Sequence, residues 1–391
     1  MQMSNVYPRL SPINRFSYSF RKVRVCAGAC LVCLTMAAQA APISVTNLVT
    51  NDQSAHSATI TDPLLRNAWG VSHSPTSPFW VSDNATGLST LYSVNPATNA
   101  IVKVPLEVSI PGDGSVTGQA FNPTANFNGD RFLFVSEDGT ISGWRMPLGT
   151  TAETLVPGSP ANVYKGVDFV NVGGNSYLYA ANFRNGTIDI VKGNPGAPNL
   201  TGNFTDPSLP VGYAPFNIEN IGGSVFVTYA VQSADKKDDV AGAGNGIINE
   251  FDINGNFVRR VATGGTLNAP WGMALAPATF GFGNALLVGN FGDGTINVFD
   301  FASDAFLGQL LGNDGNPVSI DGLWGLIPGN GAGAGNINDI YFTAGPDDER
   351  NGLFGVLAAA TVPEPGILAL LFIGSIGLFL GSRKRHWVGV C

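Results

Sequence analysis

The sequence predicts an all-β protein, a six-bladed β-propeller, from the recurrence of one hairpin unit. In residues 286–300, two apolar runs of strand length flank Asp293-Gly294. Asp-Gly between such runs is a strong hairpin signal, because a type I′ turn needs positive φ at both central residues. Outer strand-like segments follow several hairpins, at residues 101–108, 257–262 and 306–311. Four short strands repeated six times are typical of a propeller. The hairpins recur at steps of 47 to 60 residues, with turn glycines at Gly87, Gly139, Gly186, Gly246, Gly294 and Gly352.

An inner strand is expected to precede each hairpin and to line the central axis. It carries a glycine, often after a tryptophan, as in Trp69-Gly70 and Trp324-Gly325. Glycine there allows neighbouring backbones to approach closely in the crowded centre. We expect the tryptophans to pack between blades rather than to stack on a ligand.

The two ends of the repeat predict how the ring closes. The last unit has three strand-like segments, near Trp324 and at residues 340–343 and 353–357. The segment 43–50 reads ISVTNLVT and precedes the first inner strand. It is expected to supply the fourth strand of the sixth blade, which closes the ring and removes two exposed sheet edges.

Residues 1–40 have the features of a secretory signal peptide. Five basic and no acidic residues occur up to Arg24, an apolar run covers 25–38, and Ala38-Gln39-Ala40 is a cleavage signal. A retained membrane anchor is the alternative. All four cysteines lie in this segment or at Cys391. The exported body is therefore predicted to have no disulfide, thiol nucleophile or thiolate metal site.

The C-terminal segment, residues 362–391, is tripartite. A Pro-Glu-Pro motif precedes 366–381, sixteen residues without a charge, and a basic end at 383–385. An apolar helix of this length covers about 24 Å, which predicts a short transmembrane helix whose basic end stays cytoplasmic. The segment resembles the tail of bacterial PEP-CTERM proteins, and this resemblance implies sorting by exosortase-type processing machinery. An ordinary C-terminal anchor is the alternative. The residues that carry the motif are Pro363, Glu364, Pro365, Arg383, Lys384 and Arg385.

These boundaries leave residues 41–361 as the propeller, and its charge restricts the partners. The whole chain has 20 basic and 28 acidic residues, and without the two terminal segments 12 basic and 27 acidic residues remain. An acidic surface is repelled by phosphate backbones, so nucleic-acid binding is not expected. Before processing, membrane contact is expected through the C-terminal helix.

Polar residues at or near the inner strands are the first candidates for a ligand or metal site. On a ring, side chains from different blades can converge at one mouth of the axial channel, and mixed carboxylate and amide oxygens suit Ca²⁺. Six-bladed lactonases of the gluconolactonase type use such an arrangement, and the likeness to them (a shared NHL-type propeller) is general. The alternative is that these side chains satisfy backbone groups at strand ends. The candidates are Asn67, Asp168, Asn217, Glu219, Asn268 and Asp321.

The insertion at residues 233–245 is the most unusual loop. It separates two strands of one hairpin and carries Asp235, Asp238 and Asp239. Long loops on a rigid scaffold often carry function, so a bound cation or a lid over the channel is one interpretation. A solvated charged loop is the other.

Several stretches, among them residues 61–72, 236–252, 269–300 and 320–326, resemble an uncharacterised family of exported bacterial propellers, many with a sorting tail. This resemblance implies the fold and export from a Gram-negative-type bacterium, without an activity. Only His56 and His73 remain in the body, so a histidine base and a quinoprotein dehydrogenase are disfavoured. We expect a cell-surface or extracellular binding or scaffold protein for extracellular polysaccharide or a surface protein, rather than an enzyme. The alternative is a metal-assisted hydrolase or lactonase that uses Ca²⁺.

Overall fold

A computed structural model describes residues 42–360, which form six largely antiparallel sheets around one axis. The predicted signal peptide and the predicted helix 366–381 lie outside these residues. Among the residues described, no helix is long and apolar enough to cross a membrane. The helical content of the same region is two 3-10 turns, Phe127–Gly129 and Met146–Leu148.

The chain begins with two strands that belong to the last sheet, β1 (Ile43–Thr50) and β2 (Ile60–Thr61). Blades 1 to 3 then follow in chain order. Blade 1 contains β3 (Ala68–Ser72), β4 (Phe79–Asp83), β5 (Leu88–Val94) and β6 (Ile101–Ser109). Blade 2 contains β7 (Val116–Phe121), β8 (Phe132–Ser136), β9 (Ile141–Trp144) and β10 (Glu153–Val156). Blade 3 contains β11 (Tyr164–Val172), β12 (Asn175–Asn182) and β13 (Thr187–Lys192).

Blades 4 to 6 complete the ring. Blade 4 contains β14 (Tyr213–Ile221), β15 (Ser224–Val231), β16 (Ile247–Phe251) and β17 (Phe257–Thr263). Blade 5 contains β18 (Pro270–Leu275), β19 (Ala285–Asn290), β20 (Ile296–Asp300) and β21 (Phe306–Gln309). Blade 6 contains β22 (Leu323–Pro328), β23 (Ile340–Ala344) and β24 (Leu353–Ala359), together with β1 and β2. The six-bladed prediction is confirmed.

Ring closure follows the predicted route. Strand β1 pairs antiparallel with β24, so that Ile43 lies opposite Ala359 and Thr50 lies opposite Leu353. Blade 6 therefore combines both ends of the propeller. Strand β1 covers the edge of β24 that would otherwise be exposed, and a covered edge cannot pair with a strand of another chain.

Blade 3 differs from the expected four strands because no outer strand follows β13. The following segment, residues 193–212, contains four prolines and four glycines. Proline cannot donate to a strand ladder and glycine weakens it, so this composition favours an irregular segment. Ala197 and Phe204 of the segment are buried against the sheet in place of a strand.

The hydrophobic core lies between blades, with inner-strand glycines at the narrow centre. One core cluster joins Phe79 of blade 1 to Tyr341 of blade 6, and another joins Trp80 of blade 1 to Phe132 of blade 2. A Cβ on Gly70 would lie 2.5 Å from the carbonyl oxygen of Thr117. The predicted reason for glycine on the inner strands is thereby confirmed.

Candidate ligand-binding site

A cavity of about 390 Å³ lies on the axis, at the C-terminal ends of the six inner strands. Each blade contributes to its wall because the inner strands converge there. Its apolar lining includes Val71, Met273 and Leu326, and its ionisable lining residues are His73, Asp168 and Glu219. We call this cavity the axial pocket. It is lined by residues 71–73, 119–121, 167–168, 219–222, 273–275 and 326–328.

The opposite ends of the inner strands hold a cluster of aromatic rings. Trp69 stacks on Trp324 with ring centroids 3.6 Å apart, and Phe291 also stacks on Trp324, with ring centroids 3.9 Å apart. Phe216 of blade 4 lies 5.9 Å from Trp324 of blade 6, so contacts reach between blades that are not adjacent. We call these rings, with Trp271 and Phe183, the aromatic plug. The tryptophans thus pack between blades, as predicted, and fill the axis on this side of the pocket.

Two carboxyl groups from adjacent blades come together in the axial pocket. Asp168 lies on β11, and Glu219 lies on β14. The Oδ2 atom of Asp168 accepts a hydrogen bond from the backbone N–H of Asn220 at 2.7 Å, and its Oδ1 atom accepts one from the N–H of Phe169 at 2.6 Å. The Glu219 carboxyl makes no hydrogen bond to another residue within 42–360. The pair therefore has one anchored and one free member.

The environment of this pair favours retention of a proton at neutral pH. Burial raises the pKa of Asp168 to about 7, although the two backbone N–H donors act in the opposite direction. Burial and then the charge of Asp168 raise the pKa of Glu219 well above its ordinary value. Like charges in a poorly solvated site cannot both ionise cheaply. Burial thus opposes ionisation of Glu219 more strongly than ionisation of Asp168.

Other polar groups at the pocket are already engaged. The side-chain amide of Gln119 donates to the carbonyl oxygens of Gly70 and Trp80, both at 3.0 Å, and its oxygen accepts from Ser72 at 3.1 Å. The ring nitrogens of His73 lie 3.0 Å from the Ser74 carbonyl oxygen and 2.9 Å from that of Pro328. Burial lowers the pKa of His73, so its imidazole is neutral at pH 7.

Asn67, Asn217, Asn268 and Asp321 do not join the carboxyl pair. Asn67 accepts a hydrogen bond from the indole N–H of Trp324 at 3.0 Å. Asn217 donates to the carbonyl oxygen of Trp271 at 2.9 Å, and Asn268 accepts from the N–H of Gly242 at 2.6 Å. Asp321 is exposed and accepts from the N–H of Asp347 at 2.9 Å.

The expected convergence of all six candidates at one mouth is therefore not observed. Three of the four side chains precede their inner strands, whereas Asp168 and Glu219 lie further along theirs. Since the two ends of an inner strand open on opposite faces of the ring, residues near the same strand can be far apart. The four side chains bond to other residues of the propeller, which is the structural alternative stated above.

The insertion at residues 233–245 contacts the side of the ring that holds the aromatic plug. Its Asp238 Oδ1 lies 3.4 Å from Nζ of Lys165, the second residue of β11. Asp235 is exposed and accepts a hydrogen bond from the Ser233 hydroxyl at 2.6 Å. Burial raises the pKa of Asp239 to about 6 against the opposing charge of Lys165. The insertion lies away from the axial pocket and does not cover it.

Sequence reasoning missed Lys165, which organises this opposite face. Its ammonium lies 2.5 Å from Oε1 of Glu137 and 5.0 Å from the ring centroid of Trp69. Burial disfavours its charge, but the charge of Glu137 and its hydrogen bond prevail, and the pKa of Lys165 is raised. Burial raises the pKa of nearby Glu349 to about 7. A lysine directly before the inner-strand glycine Gly166, in a body with few basic residues, was the available signal.

A metal centre built from several acidic or histidine side chains is not present in the part of the chain that is described. Among residues 42–360, no group of three or more His, Cys, Asp or Glu residues is placed to hold a metal ion. Any cation in the axial pocket would depend on the two carboxyl groups and on main-chain or ligand oxygens.

The fold and pocket define the class as a six-bladed β-propeller with one carboxyl-lined axial cavity. The PEP-CTERM protein-sorting motif matches residues 361–385. The chain is 34% identical over 328 residues to uncharacterized protein R648 of Acanthamoeba polyphaga mimivirus, covering 79% of this chain and 78% of R648. Uncharacterized protein L690 of the same virus is 32% identical over 319 residues, covering 76% of this chain and 81% of L690. The chain belongs to the family of these two proteins.

Solved structures show weaker likenesses. The PQQ-bound aldose sugar dehydrogenase from Streptomyces coelicolor has 17% identity and a TM-score of 0.46, covering 81% of this chain and 98% of that chain. A protein of unknown function from Bacteroides caccae has 14% identity and a TM-score of 0.41, covering 73% and 85%. Likenesses at this level say nothing about activity. Both of these relatives, R648 and L690, are viral, so the expected bacterial origin stays a prediction.

Proposed function

We propose that this protein is an exported propeller, sorted through its C-terminal motif, that binds a small ligand in the axial pocket at the cell surface. The observation that carries the proposal is the cavity of about 390 Å³ to which all six blades contribute, with the Glu219 carboxyl group, which has no hydrogen-bond partner among residues 42–360. Concave sites with apolar walls and a few polar groups are the usual form of ligand sites. Surface scaffolding with polysaccharide or protein remains compatible with this proposal.

Export and processing are tested on both ends of the protein. The proposed mature body is residues 41–361, with the signal peptide at 1–40 and the sorting segment at 362–391. Mass spectrometry of the protein from an expressing cell with exosortase-type machinery should find an N-terminus at Ala41 and loss of the C-terminal sorting segment. A product in the cytoplasm that retains both ends would contradict export.

Ligand binding is tested with a pocket-filling substitution and a matched control. Leu275 lines the axial pocket and is partly exposed, so Leu275→Trp should fill it. Leu307 is 45% exposed on the outer strand of blade 5, so Leu307→Trp adds the same ring elsewhere. Ligands in metabolite fractions or in a fragment library should raise the melting temperature of the native protein and of the Leu307→Trp control, but not that of Leu275→Trp. Equal responses of all three proteins would contradict the axial pocket as the binding site.

A metal-assisted hydrolase or lactonase is the second candidate, and the proximity of Asp168 and Glu219 favours it. Paired carboxyl groups with unequal pKa values can serve as an acid and a base, and oxygen ligands suit Ca²⁺. This candidate predicts a stoichiometric divalent ion in undialysed protein and lactone hydrolysis that is lost in Asp168→Asn. Absence of both the ion and the hydrolysis from the native protein would reject it.

A further inference from the structure

The axial pocket has an unbalanced charge. Its ionisable lining residues are Asp168, Glu219 and His73, and none of the lysines and arginines within residues 42–360 lines it. His73 belongs to blade 1, three blades from the Glu219 of blade 4, and therefore lies across the axis from it. It is kept neutral by burial and lies between two carbonyl oxygens. The pocket thus offers acidic groups and no positive charge to balance them.

The hydrogen bonds of the lining residues also favour a positively charged ligand. The side-chain amide of Gln119 already donates to two carbonyl oxygens and accepts from the Ser72 hydroxyl, and Asp168 already accepts two backbone N–H bonds. Glu219 retains its full capacity toward the cavity. Glu219 is only partly buried, so a ligand can reach it, and a charged donor is the strongest partner for a carboxylate.

We infer that the ligand of the axial pocket carries a positively charged ammonium group, which binds between Asp168 and Glu219 while its carbon portion contacts the apolar wall. This inference rests on the proposed function of the pocket. The cavity of about 390 Å³ corresponds to roughly 13 water volumes of about 30 Å³ each. The ligand class is therefore a small organic amine of about that many non-hydrogen atoms.

An organic cation fits this site better than Ca²⁺. Calcium takes six to eight oxygen ligands, whereas the residues within 42–360 supply two carboxyl groups here, one of which is occupied by backbone donors. An ammonium has three donors and needs fewer acceptors. The apolar residues Val71, Met273 and Leu326 around the pair would contact a hydrocarbon body rather than a hydrated ion.

The test titrates the full chain with two matched pairs of probe compounds, and ligand-observed NMR measures the affinity for each compound. Cyclohexylammonium is compared with cyclohexanol, and glucosamine is compared with glucose, each at pH 7.5. The variants Glu219→Gln and Asp168→Asn remove one carboxylate each with little change in shape. Asp348→Asn removes an equal charge from a side chain that is 93% exposed, outside the pocket, and serves as the control.

We expect at least one amine to bind about tenfold or more tightly than its neutral partner, since a charged hydrogen bond in a poorly solvated site has about this effect. Both pocket variants should lose about tenfold in amine affinity, and Asp348→Asn should not. Because the cation favours ionised carboxyl groups, the affinity of cyclohexylammonium, which stays charged throughout, should rise between pH 6 and pH 8 in the native protein. The titratable groups that face the pair are its own two members and His73.

Three results overturn the inference, and they separate it from the proposed function. Equal binding of neutral and charged probes, blocked by Leu275→Trp, would leave a ligand pocket without cation preference. Displacement of the amine by CaCl₂ at equal or lower concentration would assign the pair to a metal. Failure of all four probes and of the fragment library to distinguish the native protein from Leu275→Trp would remove the proposed function as well.

Discussion

Replacing Lys165 by methionine removes a buried positive charge from the face opposite the pocket. The Lys165 and Glu137 side chains are 3% and 10% exposed, and their charged atoms lie 2.5 Å apart. Removal of one partner of such a pair leaves an uncompensated charge and costs about 3–5 kcal/mol. For about 320 ordered residues at ~2.1 cal/mol/K each, the entropy of unfolding is ~0.7 kcal/mol/K. We therefore expect the melting temperature of Lys165→Met to fall by roughly 4–7 °C.

The assay is thermal unfolding of residues 41–360, followed by circular dichroism and calorimetry. Lys237→Met is the control, because Lys237 lies 3.6 Å from the same Glu137 but is 44% exposed. An exposed pair contributes at most about 1 kcal/mol, so the control should melt within about 1–2 °C of the native protein. The double variant Lys165→Met/Glu137→Gln should recover at least half of the loss. If Lys165→Met has the same melting temperature as the control, or if the effects of Lys165→Met and Glu137→Gln on the melting temperature are additive, the buried ion pair does not stabilise this face of the ring.

Three other perturbations test the fold and the pair. Both carboxyl oxygens of Asp83 are buried without a hydrogen-bond partner among residues 42–360, and burial raises its pKa well above the ordinary value. The unfolded chain releases this proton near pH 4 and the folded chain does not, so native stability falls above about pH 4. Asp83→Asn should therefore be stabilising in urea at pH 7 and neutral at pH 3.5; equal effects at both would refute the assignment. Asp168→Asn should lower the pKa of Glu219, although burial should still hold that pKa above its ordinary value. The measurement is ¹³C NMR of the Glu219 carboxyl carbon across a pH titration. An unchanged pKa would mean that the two groups do not interact. Deletion of residues 42–50 removes β1 with the buried side chains of Ile43, Leu48 and Val49, and burial of each contributes about 1.5–3 kcal/mol to stability. Cooperative unfolding should therefore be lost. An unchanged melting curve would show that the ring closes without β1.

The repeat and its closure could be predicted because they depend on local signals. The turn at Asp293-Gly294 and the apolar runs beside it specify a hairpin from a few neighbouring residues. Gly70 could be placed on an inner strand because only a residue without a side chain fits beside the next strand. The missing outer strand of blade 3 was not predicted, although its prolines, such as Pro198, were visible in the sequence.

The candidate site could be predicted only in part. Asp168 and Glu219 were among six polar candidates, and nothing in the sequence separated them from Asn67 or Asp321. All lie at or near inner strands, and this position does not say which end of the strand a side chain occupies. Lys165 was overlooked because its partner Glu137 is 28 residues away, on a loop of another blade.

The amino-acid sequence by itself determined the all-β repeat, the number of blades, the strand that closes the ring and the sorting motif, since these depend on residues that are close together or on the order of the segments. The tertiary structure alone decided that Asp168 meets Glu219 in a pocket, that aromatic rings fill the other end of the axis, and that Lys165 is buried against Glu137. The physical reason is that burial, shared protons and ion pairs arise between blades. Each depends on which faces the closed ring brings together, and no single segment encodes that.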